Sequence, residues 1–341
     1  MHPGSAARFT SVVDEYAALR EGAGLVDRSA RLRIVFGGAQ AAETLTGLLT
    51  NDVSALQPGA GQYAAALTPK GKVIADVRVF ARTHDLLLDT SENAGPGFTA
   101  MLRKYVNPRF AQFADVSATL RTLGLYGPRA HAVLASVLRA GGVATAAVET
   151  LRGLSPYHHV TFEVSGEDVM VARVPDLGVE GFDCFVADGL AESFSLQLVT
   201  AHAIPVGRDA ADIARVEAGR PLWGMDMDAN TLAQEANLDT LDGISYTKGC
   251  YTGQETVARV HFRGHVNRRL RGLHSAVAIP SGSELMDGDK SVGEVRSSVV
   301  SPRLGPIALA LLRREVEPGV ELSARWEGGE APARVREIPF E

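Results

Sequence analysis

The sequence predicts an α+β fold: a duplicated body of mixed strands and helices, followed by a C-terminal β-barrel. Three observations lead there. Strand-like and helix-like segments do not alternate strictly, which favours antiparallel α+β over a doubly wound parallel sheet. Residues 32–49 (LRIVFGGAQAAETLTGLL) echo residues 120–138 (LRTLGLYGPRAHAVLASVL), each giving a strand, a glycine corner and a helix, with Gly37 and Gly127 90 positions apart. After His265 the chain turns to short strands separated by Pro and Gly, with no convincing helix.

The elements follow in order. Residues 9–22 carry Val12, Val13, Tyr16 and Leu19 at helical spacing. Residues 32–36 are β-branched and apolar, a strand closed by Gly37 and Gly38, and a helix over 39–49 stops at Thr50, Asn51 and Asp52. Strands over 62–68, 72–82 and 85–89 come next, the first two joined by the turn Pro69, Lys70, Gly71. A helix over 94–106 completes this half. In the second half, 159–164 and 169–174 read as a hairpin, 182–186 as a strand and 189–202 as a helix. Asp209 reads as the cap of a helix that stops at Gly219, and 225–245 as a long polar loop.

At 341 residues the chain exceeds one ordinary core, and three portions are expected: 1–115, 116–265 with the cysteine segment, and the barrel 266–341. Hydrophobic residues at 45% and charged residues at 22% exclude wholesale disorder. A net charge of −6 argues against a bulk nucleic-acid binder, so no direct nucleic-acid binding is expected. A local basic stretch does occur, with Arg259, Arg263, Arg268, Arg269 and Arg271; it could contact an acidic partner, an acidic ligand tail or RNA, and its plainest reading is a solvated face. Two distant cysteines, Cys184 and Cys250, form neither a disulfide framework nor a Cys-x-x-Cys pair. No signal pattern or membrane-length apolar run is present, so a cytoplasmic location and no membrane association are expected.

The segment with the most chemistry is Lys248-Gly249-Cys250-Tyr251-Thr252-Gly253-Gln254-Glu255. Its glycines permit a sharp turn, and a helix can begin at Gly253, leaving Cys250 just before a helix N-terminus beside Lys248. Backbone N–H dipoles and an ammonium both favour thiolate. The alternative is a small buried residue in a tight loop. Cys250, His261 and His265 lack the paired short spacing of a zinc site, and no metal is expected. Dinucleotide, Walker and Gly-x-Ser-x-Gly motifs are absent. Asp183 follows a glycine turn, and Arg215 and Glu217 close a helix. A carboxylate can hold an amino-pyrimidine edge and an arginine a carboxylate tail, with surface charge as the plainer alternative for both.

Residues 243–270 (GISYTKGCYTGQETVARVHFRGHVNRRL) closely resemble the hallmark segment of the YgfZ-type folate-binding proteins, a branch of the glycine-cleavage T-protein (aminomethyltransferase) superfamily. Thr50 to Val53, Thr68 to Lys72, Glu217-Ala218-Gly219 with Pro221, and Gln234 to Leu238 also look like family signatures in family order. The resemblance implies a cloverleaf of two related α+β portions and a barrel around a folate-sized hole. It implies tetrahydrofolate, or a one-carbon derivative, as cofactor. It further implies an accessory role for iron–sulfur client enzymes, including radical methylthiotransferases, with aminomethyl transfer to tetrahydrofolate or a non-catalytic interaction module as alternatives. By motif it places Cys250 and Lys248 at the reactive position, and Asn51, Asp52, Lys70, Asp183, Arg215, Glu217, Tyr251, Gln254, Glu255 and Arg259 around the ligand. Tryptophans that line the folate site in some relatives have no counterpart near Arg31 and Ala211, and the stretch bearing the transferases' catalytic Asp is not visible over 90–98. The segment from Glu15 and Tyr16 to Asp27, Arg28 and Ser29 nevertheless looks like T-protein.

Overall fold

Two strand-rich repeats are legible in the computed structural model, which describes residues 6–341. The chain opens with α1 (Val12–Glu21), whose Ser11 cap accepts the Asp14 amide at 3.1 Å, and β1 (Gly24–Asp27). The first repeat is β2 (Leu32–Gly37), α2 (Ala41–Leu48), β3 (Gly61–Leu67), β4 (Val73–Ala81), β5 (Leu86–Thr90), α3 (Gly95–Tyr105) and β6 (Gln112–Asp115). The second is β7 (Leu120–Tyr126), α4 (Ala130–Ala140), the short α5 (Thr145–Glu149), β8 (His159–Val164), β9 (Glu167–Arg173), β10 (Gly181–Ala187), α6 (Asp188–Thr200) and β11 (Ile204–Pro205). After these come α7 (Arg208–Glu217) and α8 (Gln254–Arg263).

The sheet orders make the duplication concrete. One sheet runs β3-β4-β5-β2-β6 and the other β8-β9-β10-β7-β1-β11. Each places its hairpin, third strand and opening strand in the same sequence, but the slot that β6 fills in the first sheet belongs to the N-terminal β1 in the second. Residues 24–27 therefore join the second sheet, across the expected division at 115. All pairings are antiparallel except β1 with β11. The corner equivalent to Gly127 is Gly38, one residue beyond the expected Gly37. Both sit at φ +120°, and a Cβ would lie 2.6 Å from the Phe110 carbonyl oxygen at Gly38 and 2.5 Å from that of Gly22 at Gly127.

Helices α2 and α3 cover the outer face of the first sheet, and α4 and α6 that of the second. The inner faces meet in a third core, where the fully buried rings of Phe80 on β4 and Phe185 on β10 lie 5.3 Å apart edge to face. Each such ring contributes roughly 1.5–3 kcal/mol by burial. The C-terminal barrel is closed in the order β12-β15-β14-β13-β16-β17, from β12 (Arg268–Ser275), β13 (Glu284–Asp287), β14 (Lys290–Ser301) and β15 (Gly305–Arg313) to β16 (Glu321–Trp326) and β17 (Gly329–Arg336). The α+β fold with a closed barrel is thus as the sequence predicts.

Two local expectations are corrected. Asp209 is the second residue of α7 and Gly207 its cap, because the Glu15 carboxylate on α1 already accepts the Gly207 amide at 2.7 Å. The stretch 225–245 is not a solvated loop. Residues 233–238 are all buried, where Glu235 pairs with Arg268 at 3.1 Å and Asn237 donates to the Leu270 carbonyl at 2.9 Å, joining the body to the barrel. Among the described residues no helix is long and apolar enough to cross a membrane.

Candidate functional site: a polar layer between the sheets

Strand parity explains the site. On β4 (VIADVRVFA) Ala75, Val77, Val79 and Ala81 pack under the outer helices, so Asp76, Arg78 and Phe80 point between the sheets. The same parity sends Arg33 of β2, Tyr63 of β3, Asp89 of β5, Tyr126 of β7 and Asp183 of β10 inward, opposite apolar neighbours in the helix-covered cores. A charged residue alternating with apolar ones in a strand buried on both faces is a readable signal.

Most of these charges are mutually committed. Arg78 donates to Asp89 at 2.6 and 2.9 Å, to Asp183 at 2.7 Å and to Asp176 at 3.2 Å. Tyr126 donates to the other Asp183 oxygen at 2.6 Å, Arg28 reaches Asp176 at 2.7 Å, and Arg31 donates to Asp89 at 2.5 Å. Burial alone raises Asp89 and Asp176, but the surrounding arginines outweigh it and hold both below the usual carboxylate range. Asp183 is therefore a buried network member, not a surface charge, with both oxygens engaged.

Asp76 is different. Tyr63 donates to its Oδ2 at 3.1 Å, while its buried Oδ1 has no partner. Burial raises its carboxyl above the ordinary range, against a lowering by Arg31 and the Tyr63 hydroxyl. Tyr157 stacks on Tyr63 with ring centroids 6.0 Å apart, and its buried hydroxyl is also unpartnered. It adopts φ +64°, a conformation that costs a non-glycine residue of order 1 kcal/mol or more and clusters at functional sites. Burial pushes both phenols up, so they are neutral donors. Neither Asp76 nor Tyr157 was singled out from the sequence.

Nearby, a cavity of about 520 Å³ opens between the second sheet, α7 and the barrel. Arg20, Arg173, Arg220 and Arg303 line it together with Glu180, Glu217 and Pro156, whereas Asp76, Tyr63 and Tyr157 are not among its lining residues. Glu217 is held by Tyr16 at 2.8 Å, Ser301 at 2.5 Å and a short contact with Arg20, so it ties α1, α7 and the barrel together at the cavity wall. Arg215 does not face this cavity. It pairs with Asp212 and Asp226 at 2.7 Å and donates to Ser297 at 2.7 Å, anchoring β14.

The cysteine segment lies elsewhere. Gly253, at φ +86°, caps α8, and a Cβ there would meet the Thr68 carbonyl oxygen at 2.6 Å, so the helix start docks on the 68–71 turn. Cys250 is exposed and does not line the arginine cavity. Lys248 turns away to donate to the backbone carbonyls of Thr46, Leu49 and Asn51, closing the end of α2. Burial lowers it to about 8, partly offset by Asp52. Tyr251 is buried in the central core with the Lys248 ammonium 4.7 Å from its ring centroid. Asn51 donates to the carbonyls of Tyr63 and Asp242 at 3.1 and 2.9 Å, and Asp52 is half-buried beside it. Lys70, Glu255 and Arg259 are exposed, and Gln254 is half-buried in the first turn of α8. The structure thus gathers Asn51, Asp52, Lys248 and Tyr251 into one docking seam, and leaves Asp183, Arg215 and Glu217 in separate networks. Among the described residues no group of three or more His, Cys, Asp or Glu could hold a metal ion.

Residues 3–243 match the family described as the GCVT N-terminal domain, and residues 268–340 match the glycine cleavage T-protein C-terminal barrel domain. The cysteine segment falls between the two. A protein of Nostoc sp. named aminomethyltransferase is 30% identical over 346 residues, covering 98% of this chain and 88% of the relative. One from Rubrobacter xylanophilus, of the same name, is 30% identical over 336 residues, with 98% and 87% covered. The crystal structure of glycine cleavage system aminomethyltransferase T from Bartonella henselae superposes with a TM-score of 0.86 at 23% identity, covering 99% of this chain and 95% of that one, which shows a common fold.

Proposed function

The chain belongs to the glycine-cleavage T-protein superfamily, and on that premise we propose that it transfers a one-carbon unit from an aminomethyl donor to tetrahydrofolate. The observation that carries this reading is the unpartnered Asp76 Oδ1, buried beside two neutral phenols. Unpaired buried polar atoms cost free energy and mark a place where a ligand's polar edge completes the set.

The residues fit a folate. Asp76 Oδ1 and the Tyr157 hydroxyl are an open acceptor and an open donor for a heterocycle within the packed layer, which must part to admit one, and the separate cavity lined by Arg20, Arg173, Arg220 and Arg303 offers charge to an acidic tail. A cavity of about 520 Å³ is in the range of pockets for ligands of this size. When bound, tetrahydrofolate would supply the nucleophilic nitrogen that accepts the one-carbon unit at unchanged oxidation level, with ammonia and the carrier thiol as the groups released. Asp76, in its ionised form, orients an N–H or ammonium proton at Oδ1 and stabilises positive charge developing there. Tyr63 holds the carboxylate in place through Oδ2, and the Arg78 network keeps the surrounding charge balanced. Closure of the sheets around this layer excludes water.

The name shared by the Nostoc and Rubrobacter relatives supports this transferase reading over the iron–sulfur accessory role suggested by the cysteine segment. One observation favours the latter as a second reading: the Cys250 thiol is exposed and away from the interior polar layer, where a partner can reach it. Purified protein assayed with an aminomethylated lipoyl carrier and tetrahydrofolate separates the two. Turnover that persists in Cys250→Ser supports transfer; absent turnover, with a client enzyme's cluster-dependent activity lost in the same variant, supports the accessory role.

A further inference from the structure

Helix α8 exposes a stripe that the interior site does not use. Glu255, Arg259, Phe262 and Arg263 recur at helical spacing and are exposed, while Val257 is buried on the opposite side. Phe262 is 66% exposed, among the most open large hydrophobic side chains of the chain. It is not a loose side chain. The Tyr246 and His261 rings stack 3.6 Å apart at 15°, and His261 and Tyr246 meet Phe262 edge on at 4.7 and 6.3 Å. The helix beneath is anchored by the Gly253 turn and by Gln234, which donates to the Val257 carbonyl at 3.0 Å.

The charges on this stripe are equally distinctive. Arg268, Arg269 and Arg271, just beyond the helix, pair with Glu235, Asp239, Glu317 and Glu337. Arg259 and Arg263 have no ion-pair partner among the described residues. They lie four positions apart, about 6 Å along the axis, with the Phe262 ring one turn on from Arg259 and to one side of both, in a chain whose net charge is −6. Aromatic and arginine side chains grouped in this way are the usual anchors of protein interfaces.

We propose that the Arg259–Phe262–Arg263 stripe docks an acidic amphipathic helix of a partner protein, with carboxylates one turn apart meeting the two guanidinium groups and an apolar side chain beside them covering Phe262. A nucleic-acid partner fits less well. Two arginines do not make a phosphate track, and the Tyr246 and His261 faces already stack on each other, leaving no open platform for bases. The inference stands apart from the one-carbon reading, because no residue of the stripe lines the interior layer.

The test uses the full chain and three fluorescent probes: a helix-forming Glu/Leu peptide with carboxylates one turn apart, the same peptide with Lys in place of Glu, and single-stranded oligo-dT. The expected result is that the acidic peptide binds best, weakens with salt, and loses about tenfold or more in affinity with Arg259→Glu/Arg263→Glu. Phe262→Ser should lose affinity at high salt as well, where the charged contribution is screened. Arg109→Glu, an exposed arginine on another face, controls for bulk charge, and thermal melting confirms that each variant folds. Equal binding of the acidic and basic peptides, tighter binding of oligo-dT, or an unchanged affinity in the double variant would each overturn the proposal.

Discussion

The Tyr63 hydroxyl donates to Asp76 Oδ2 at 3.1 Å across the β3–β4 pair, and leaves Oδ1 of the same carboxylate buried without a partner. Every other inward carboxylate of the layer leans on at least one arginine; Asp89 Oδ2 is also buried without a hydrogen-bond partner, but among the described residues of the layer Asp76 is the carboxylate held by a phenol and no arginine hydrogen bond. That asymmetry makes a packed interior a candidate reaction centre.

The arrangement predicts a trade between stability and activity. Asp76 is raised by burial, so its protonated form is favoured by folding below 3.8, and that benefit is lost as pH rises through the folded value. At neutral pH the ionised carboxylate is a net cost. Asp76→Asn should therefore raise the unfolding free energy at neutral pH by about 1 kcal/mol, and the gain should shrink as pH falls toward 3.8. Chemical denaturation across that range checks both; a destabilised Asn variant would contradict the assignment.

Arg78 predicts the opposite. It is the hub for Asp89, Asp183 and Asp176. Arg78→Met removes the guanidinium shared by the fully buried Asp89 and Asp183, leaving them to Arg31 and Tyr126, and should cost about 3 kcal/mol. A loss below about 1 kcal/mol in urea denaturation would show that the network is not what holds the two sheets in register.

For Lys248 the signature is a pH slope. Its value is lowered from 10.5 to about 8, chiefly by burial, so the unfolded chain binds the proton more readily between those values. Stability should rise with pH across that window relative to Lys248→Met, the penalty being fully present below it. A difference that stays flat from pH 8 to 10.5 would mean that the ammonium is not desolvated against the α2 carbonyls.

Gly253→Ala tests the docking of α8. The left-handed backbone and the Thr68 carbonyl both refuse a Cβ, so the variant should lose about 1–3 kcal/mol. Hydrogen exchange of the α8 amides should quicken more than that of the barrel. Uniform exchange would place the strain elsewhere.

Much of this was legible in the sequence, for a physical reason. Hydrophobic periodicity and glycine corners are local, so β2 to β5, α2, α3, the second hairpin and the barrel texture could be read in place. What could not be read was assembly. Nothing in Gly24 to Asp27 announces that the strand will fill a slot in the second sheet. Asp183, Arg215 and Glu217 were found as charges near turns, but each has a partner at least 82 positions away, Arg78, Ser297 and Tyr16 respectively, so which of them is free for a ligand was beyond local reasoning. Asp76 was visible as an inward charge on an apolar strand, and Tyr157 was hidden because its strain appears only in the backbone. The cysteine segment, the most recognisable motif of the chain, serves first as a seam between α2, the 68–71 turn and α8.

The most direct measurement is steady-state transfer from an aminomethylated lipoyl carrier to tetrahydrofolate, with wild type and Asp76→Asn compared alongside folate titration. Turnover in the wild type that falls by about 100-fold or more in the variant, with tetrahydrofolate still bound and the fold intact, is the predicted result. Wild-type turnover that survives unchanged in Asp76→Asn, or a wild-type protein that neither binds tetrahydrofolate nor turns over, would contradict it.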